Sequence, residues 1–295
     1  MLKIGFFGDG AWAHNSFKKI IKDNSLEIKF VTVRFDQRDP VLLSLAEQYG
    51  IPIEISKDIN SNEFLRRISK YDVDLFVSMS FDQILKKRTI DFPKLSSINC
   101  HAGKLPFYRG RNILNWVLIN DEKEWGITVH YIDEGIDTGD IILQNVYTIS
   151  DDDDYCSLLN KAHTECAEIL YEAIKKIQNG SVQRVPQKEI DPVGLYCGIR
   201  TFGDELINWN QSSRNIFNFV RALCKPGPQA TSYIHDKILK INRVREIIDS
   251  KPYIGIPGQV IGKTKEGFYV KTKDTFVEVI DFDFEGKIRV GTRLV

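Results

Sequence analysis

The sequence predicts an α/β protein with a mainly parallel, doubly wound sheet and a smaller β-rich domain at its C-terminal end. Two observations lead to this prediction. From Ile4 to Met79, short apolar runs alternate with segments in which apolar residues recur at helical spacing. Beyond Pro226, short β-like runs instead alternate with glycine-containing and charged turns.

The first half of the chain supplies the repeated β-α units. Strands are predicted at residues 4–7, 28–33, 52–55 and 74–79, and helices at 12–21, 40–49 and 62–69. Two further strands are predicted at 127–132 and 141–149, followed by a long amphipathic helix at 155–177 that the acidic run before it caps. Such units imply right-handed crossovers and a Rossmann-like sheet, in which ligands lie beyond the carboxyl ends of the strands.

The pattern changes near residues 192–203. After one predicted helix at 212–224, β-like runs follow at 233–235, 238–244, 258–261, 268–271 and 276–280. We therefore divide the chain into a larger domain over residues 1–200 and a β-rich domain over residues 201–295.

Composition argues against several classes of function. The 40 Lys and Arg residues equal the 40 Asp and Glu residues, so the whole protein offers no attraction for a polyanion, and nucleic acid is not the expected partner. The five cysteines are scattered and include no C-x-x-C pair, which argues against a disulfide framework and against a zinc site; no metal is expected. The sequence lacks a secretory signal and an apolar stretch long enough to span a bilayer, so we expect a cytoplasmic protein without membrane contact.

The candidate catalytic residues lie in two stretches. Asn99 and His101 stand two apart on a predicted strand, so their side chains project from the same face. About 35 residues later comes the polar cluster 133–140, which contains Asp137. A carboxamide, an imidazole and a carboxylate suit acyl transfer to an amine, because they donate to an oxyanion, relay a proton and balance the imidazolium. His130, in an apolar alternating strand, is expected to be a structural residue.

Four motifs together resemble the 10-formyltetrahydrofolate-dependent formyltransferases. They are Asn-x-His at 99–101, Leu-Pro-x-Tyr-Arg-Gly at 105–110, Gly-Ile-Thr-Val-His at 126–130 and Asp-x-Gly-x-Asp-Thr-Gly-Asp at 133–140. The resemblance is clear over residues 1–187 and fainter beyond. It implies that Asn99, His101 and Asp137 are the catalytic trio and that 10-formyltetrahydrofolate is the formyl donor. It also implies a folate pocket lined by two segments, with the contact residues Met79, Ser80, Phe81, Gln83, Ile84, Asp133, Glu134 and Gly135.

Within this family, the stretch Arg109 to Trp116 resembles the sugar-modifying enzymes. The short, charge-balanced segment 33–40 lacks the basic insertion of methionyl-tRNA formyltransferases. We therefore expect the acceptor to be a nucleotide-linked amino sugar, most simply a 4-amino-4,6-dideoxyhexose used for cell-surface glycans such as lipopolysaccharide O-antigen. Methionyl-tRNA formylation is the main alternative; folate hydrolysis and a non-catalytic binding module are two others.

Five residues are predicted to contact the acceptor: Gly10, Trp12, Lys104, Arg109 and Arg111. The turn at Gly10 and Trp12 begins the first helix, where a sugar or phosphate can approach closely. Guanidinium groups can bind phosphates bidentately, which favours Arg109 and Arg111. Two alternatives stay open at this stage. Arg109 can instead brace the Leu105–Pro106 turn, and Trp116 can be a core residue. The sequence also leaves open whether the protein forms a homodimer through its C-terminal domain.

Overall fold

The computed structural model describes residues 1–295, which divide by their contacts into two compact units. The first unit consists of residues 1–110, 126–147 and 160–197, and the second of 111–125, 148–159 and 198–295. Two short segments from the middle of the sequence thus belong to the second unit. The division into 1–200 and 201–295 stays a prediction.

The strands in the first half of the chain are β1 (Leu2–Gly8), β2 (Leu26–Thr32), β3 (Leu75–Met79), β4 (Ser96–His101), β5 (Arg109–Gly110), β6 (Glu124–Tyr131), β7 (Ile141–Thr148) and β8 (Tyr196–Cys197). Six of them form one sheet in the order β2-β1-β3-β4-β6-β7, and β5 pairs with β8. Strands β1 to β4 run parallel, whereas β6 is antiparallel to β4. The predicted mainly parallel α/β fold is confirmed.

The helices up to residue 190 are α1 (Gly10–Ile20), α2 (Pro40–Gln48), α3 (Asn62–Ile68), α4 (Lys87–Ile90), α5 (Ile113–Ile119), α6 (Tyr155–Gln178) and α7 (Gln187–Ile190), with a 3₁₀ turn at Ser69–Tyr71. Asp39 begins α2, since its Oδ1 accepts from the amides of Val41 and Leu42 at 2.9 and 3.0 Å. No helix combines the length and the apolar character that a membrane span requires.

The predicted strand at 52–55 is wrong. Only one bridge forms there, between Ile53 and Val31. Pro52 has no N–H to donate to a ladder. Pairing with β2 is confined to two backbone hydrogen bonds, from the Val31 amide to the Pro52 carbonyl oxygen and from the Glu54 amide to the Val31 carbonyl oxygen, at 2.9 Å each.

Aromatic packing fixes the carboxyl ends of the central parallel strands. The Phe7 ring meets the rings of Phe30, Phe64, Phe76 and Phe81 edge-on, with centroids 5.0 to 6.3 Å apart. All but Phe81 are fully buried. Because densely packed interiors resist deformation, the loops that leave β1 and β3 start from a rigid base.

The second unit carries the C-terminal β structure. Its elements there are α8 (Ser213–Leu223), β9 (Ala230–Ile234), β10 (Lys237–Glu246), β11 (Val260–Lys263), β12 (Phe268–Lys271) and β13 (Phe276–Asp283). The sheet order is β11-β12-β13-β10-β9, and its neighbouring strands are antiparallel. Leu294 bonds to Gly258 beside one edge strand, and Val295 pairs with Tyr233 of the other. The predicted β-rich C-terminal part is confirmed.

Candidate active site

Strands β4 and β6 bring three polar side chains onto one face of the sheet. Asn99 lies directly opposite His130 in the antiparallel register, and His101 lies opposite Thr128. Opposed residues share a face, as do residues two apart on one strand. The Asn99 Nδ2 is 3.4 Å from the His130 Nε2. His130, expected to be a structural residue, therefore stands in the same cluster as the predicted trio.

Asp137 lies against both histidines. Its Oδ2 is 3.5 Å from the Nδ1 of His101 and accepts the amide of Gly110 at 2.9 Å, and its Oδ1 is 3.4 Å from the Nε2 of His130. The carboxyl side chain is only 13% exposed. Asn99 and Asp137 are 38 positions apart in the sequence. The structure brings them together with His101 in one cluster.

The surroundings of Asp137 keep it ionised. Burial by itself raises the pKa of this carboxyl, but the facing His101, the contact with His130 and the Gly110 amide together hold the pKa well below the ordinary 3.8. His101 has an acceptor at each ring nitrogen, since its Nε2 is 2.7 Å from the Tyr108 carbonyl oxygen and its Nδ1 faces Asp137. Two acceptors suit the imidazolium, which has two N–H donors.

The loop between β6 and β7 is shaped by its own motif. The Asp133 Oδ1 accepts the Gly135 amide at 3.1 Å and the Thr138 hydroxyl at 2.5 Å. Asp137 has the left-handed φ of +54°, which is uncommon outside glycine but tolerated by aspartate. A Cβ on Gly139 would lie 1.9 Å from the Tyr131 carbonyl oxygen. The spacing of the motif is therefore a requirement of this turn.

Arg109 is buried and bonded to the protein. Its Nε and Nη2 donate to the Oε1 of Gln187 at 3.0 and 2.8 Å, and its Nη1 donates to the Val193 carbonyl at 3.2 Å. Of the two roles left open by the sequence, these contacts favour bracing over phosphate binding. The braced segment is 187–193 rather than the expected Leu105–Pro106 turn. Gln187 was not foreseen from the sequence, because no local motif marks it.

The predicted folate-binding residues divide into packed and exposed ones. Met79 is buried, Phe81 packs on Phe7, and the carboxamide of Gln83 bonds to Ile59 N and Ser56 O at 3.1 Å each. Ser80 has the left-handed φ of +58°. Ile84, Asp133, Glu134 and Gly135 are exposed. The contacts of these segments with a folate stay a prediction.

The residues predicted to contact the acceptor differ in their surroundings. The Gly10 amide donates to the Asp39 Oδ2 at 2.7 Å, so a phosphate at this turn would have to displace a carboxylate. Trp12 is half-buried with its ring edge-on to His163 at 4.5 Å. Lys104 is half-buried, and Arg111 is exposed in the second unit. Their roles in binding stay predictions.

Comparison with known proteins decides the family. Residues 2–174 match the family model described as formyl transferase, and residues 201–293 match the model described as formyl transferase, C-terminal domain. The chain belongs to the formyl transferase family. A methionyl-tRNA formyltransferase of Citrifermentans bemidjiense is 35% identical over 296 residues, covering 98% of this chain and 91% of that protein. That of Caldanaerobacter subterraneus is 32% identical, covering 99% and 95% respectively.

Solved formyltransferases share the fold over nearly the whole chain. WlaRD, a sugar 3N-formyl transferase solved with dTDP and 5-N-formyl-THF, has a TM-score of 0.69 at 24% identity, covering 98% of this chain and 99% of its own. The N-formyltransferase of Helicobacter canadensis, solved with folinic acid and dTDP-3-aminofucose, has a TM-score of 0.68 at 25% identity, covering 96% and 100%. This protein is therefore a formyltransferase, as the motifs predicted.

The Asp137 turn gives a first test of the site. We expect Gly139→Ala to lower turnover about 100-fold, because the added Cβ cannot coexist with the Tyr131 carbonyl and a displacement near 1 Å misaligns reacting groups. Steady-state release of tetrahydrofolate measures the effect. Gly198→Ala is the matched control, since a Cβ there meets no atom within 4 Å. Equal rates in the two variants would contradict the role given to this turn.

Proposed function

We propose that this formyltransferase transfers a formyl group to the amine of a nucleotide-linked amino sugar, most simply a 4-amino-4,6-dideoxyhexose, in the synthesis of cell-surface glycans. The formyl donor is 10-formyltetrahydrofolate. The observation that carries the proposal is the stretch Arg109 to Trp116, which resembles the sugar-modifying members. The likeness in fold to the Helicobacter canadensis enzyme, which was solved with dTDP-3-aminofucose, supports a nucleotide-linked amino sugar as the acceptor, although that sugar carries its amine at position 3 and not at position 4.

Charge in the C-terminal part of the chain also favours a small acceptor over tRNA. Residues 201–295 contain fifteen Lys and Arg against eleven Asp and Glu, a modest excess for a surface that grips a nucleic acid. Several of these cations already have partners. Arg214 bonds to Asp121, Asp151 and Glu246, and Arg245 bonds to Glu278 and Glu266. A cation neutralised by the protein itself releases fewer counterions from a phosphate backbone.

The segment after β2 also contains a cation that is paired with carboxylates of the same chain. Arg34 lies 2.8 Å from Asp36 and 3.8 Å from both Asp9 and Asp82. Three carboxylates around one guanidinium leave Arg34 little net positive charge to offer a phosphate. A tRNA backbone gains little attraction from this group, whereas the hydroxyl groups of a sugar can donate hydrogen bonds to such carboxylates.

Methionyl-tRNA formylation remains the second candidate because a specific observation favours it. The relatives compared above are methionyl-tRNA formyltransferases and align with nearly the entire chain at 32 to 35% identity. Both functions need the same chemistry at the formyl group, so they differ only in what the protein offers to the acceptor.

The mechanism follows from the cluster on β4, β6 and the Asp137 loop. The Asn99 carboxamide lies on the same face of the sheet as His101, and we assign one of its N–H groups to the formyl oxygen, where negative charge develops as the amine attacks. His101 as the imidazolium adds positive charge at the same oxyanion. The ionised Asp137 orients that ring and aids removal of the proton from the amine. No covalent bond to the protein is needed.

Replacement of the carboxylate tests these roles. We expect Asp137→Asn to slow turnover by about 10²- to 10⁴-fold, since the isosteric amide keeps the shape and removes the charge that faces His101. Asp152→Asn, at an exposed position of the acidic run before α6, is the control for loss of one charge. Circular dichroism verifies that both variants fold. Turnover of Asp137→Asn within a factor of two of the native enzyme would refute the assignment.

The acceptor is identified by a coupled assay for tetrahydrofolate formation from 10-formyltetrahydrofolate. UDP-, dTDP-, GDP- and CMP-linked amino sugars are compared with methionyl-tRNA and with a reaction that lacks an acceptor. We expect turnover with one sugar nucleotide and a weak dependence on salt. Turnover with methionyl-tRNA alone, falling steeply as salt rises, would replace the proposal with the second candidate. Turnover without any acceptor would indicate folate hydrolysis.

A further inference from the structure

Gln187 occupies a buried place beside the active-site loop. It is the first residue of α7, two positions after Val185, which exchanges backbone hydrogen bonds with Ile141 at 2.9 and 3.0 Å. Its residue surface is only 3% exposed. Since Ile141 begins β7 directly after the loop 133–140, this pairing fixes the backbone of Gln187 next to the loop.

The carboxamide of Gln187 uses its full bonding capacity. Its Nε2 donates to the carbonyl oxygens of Asp137 and Gly139 at 2.8 Å each. Its Oε1 accepts two N–H groups of Arg109. An amide with two donors and one two-fold acceptor has no group left for a substrate. Its orientation is also determined, because the flipped amide would place its N–H groups against the guanidinium and its oxygen against two carbonyls.

The conformation of the loop 133–140, called here the Asp137 loop, requires this support. Asp137 has a left-handed φ, a conformation that costs free energy in any residue with a side chain, and the neighbouring positions 134–136 are exposed. The loop backbone is anchored at residues 137 and 139 by one buried side chain. Without it, two carbonyl oxygens next to the catalytic carboxylate lose their donors.

Arg109 connects this anchor to the opposite side of the site. The residues that flank it contact the two central catalytic groups, since the Tyr108 carbonyl faces His101 Nε2 and the Gly110 amide donates to Asp137 Oδ2. The Arg109 side chain and the Asp137 loop are both bonded to one carboxamide. The Gln187 side chain therefore helps to determine the distance between His101 and Asp137.

We propose that Gln187 is a positioning residue for formyl transfer, which holds the Asp137 loop in its reactive geometry and ties it to Arg109. The inference rests on the catalytic roles proposed above for Asp137 and His101. Gln187 touches no substrate, so it acts on the rate of the chemical step through the position of Asp137 and not through binding.

Gln187→Glu separates positioning from packing. The glutamate keeps the shape of the side chain and the acceptor for Arg109, but it removes both donors to the loop and sets a carboxylate oxygen against two carbonyl oxygens. We expect kcat to fall about 10- to 100-fold, while the KM values for donor and acceptor change by less than about two-fold. Gln183→Glu, exposed and four positions earlier, makes the same change of charge as the control. A residue that only packs would tolerate the isosteric change, so native kcat in Gln187→Glu overturns the proposal.

Arg109→Lys supplies a second and milder variant. Lysine keeps the positive charge but cannot make the paired bonds to Gln187, so kcat should fall by less than in Gln187→Glu with little change in KM. If Arg109 instead binds the phosphates of the acceptor, the same change raises the KM for the acceptor and leaves kcat near native. That result would detach Arg109 from the positioning network and overturn this part of the proposal.

Hydrogen exchange gives a readout that needs no acceptor. Backbone amides of residues 133–140 should exchange faster in Gln187→Glu than in the native protein and in Gln183→Glu. The kinetic assay uses whichever acceptor the native enzyme formylates. Failure of every sugar nucleotide with the native enzyme would therefore count against the proposed function, whereas unchanged exchange and unchanged kcat in Gln187→Glu would count against the role of Gln187.

Discussion

The arrangement of the active site depends on one buried carboxylate. Asp137 is almost enclosed by protein, and an unpaired charge in such a place is costly. Its negative charge is balanced by His101 and His130 and by the amide of Gly110, each from a different segment of the chain. Because these partners must meet at one carboxylate, the strands β4 and β6, the loop 133–140 and the residues 108–110 are fixed relative to one another.

Much of this was predictable from the sequence, and the reason is local periodicity. Repeated β-α units gave the sheet, and the spacing of Asn99 and His101 placed both on one face. The position of His130 beside Asp137 was not foreseen because it depends on the antiparallel register of β6 against β4, which one sequence does not contain. Gln187 was missed because its partners are 48 and 50 residues away and bond through their backbone. The strand expected at 52–55 is reduced to one bridge to β2, at Ile53, and Pro52 has no N–H with which to extend the pairing.

Chemistry and acceptor choice are separable in this family. The cluster around Asp137 deals only with the formyl group and the attacking amine, which are common to sugar and tRNA acceptors. In the proposed function, Arg34 and Arg214 add little attraction for a tRNA, since each is surrounded by carboxylates of the same chain. A shared fold and shared chemistry do not by themselves determine the acceptor.

The account claims that His101 and Asp137 act as one unit. The most direct measurement is a double-mutant cycle on kcat with the variants His101→Ala, Asp137→Asn and the double variant. Circular dichroism verifies that each variant folds. If the two residues depend on each other, the double variant is about as slow as the slower single variant, because removal of one partner already removes the contribution of the other. Rate losses that multiply in the double variant would show that the two act independently, and the central role of the buried carboxylate would be wrong.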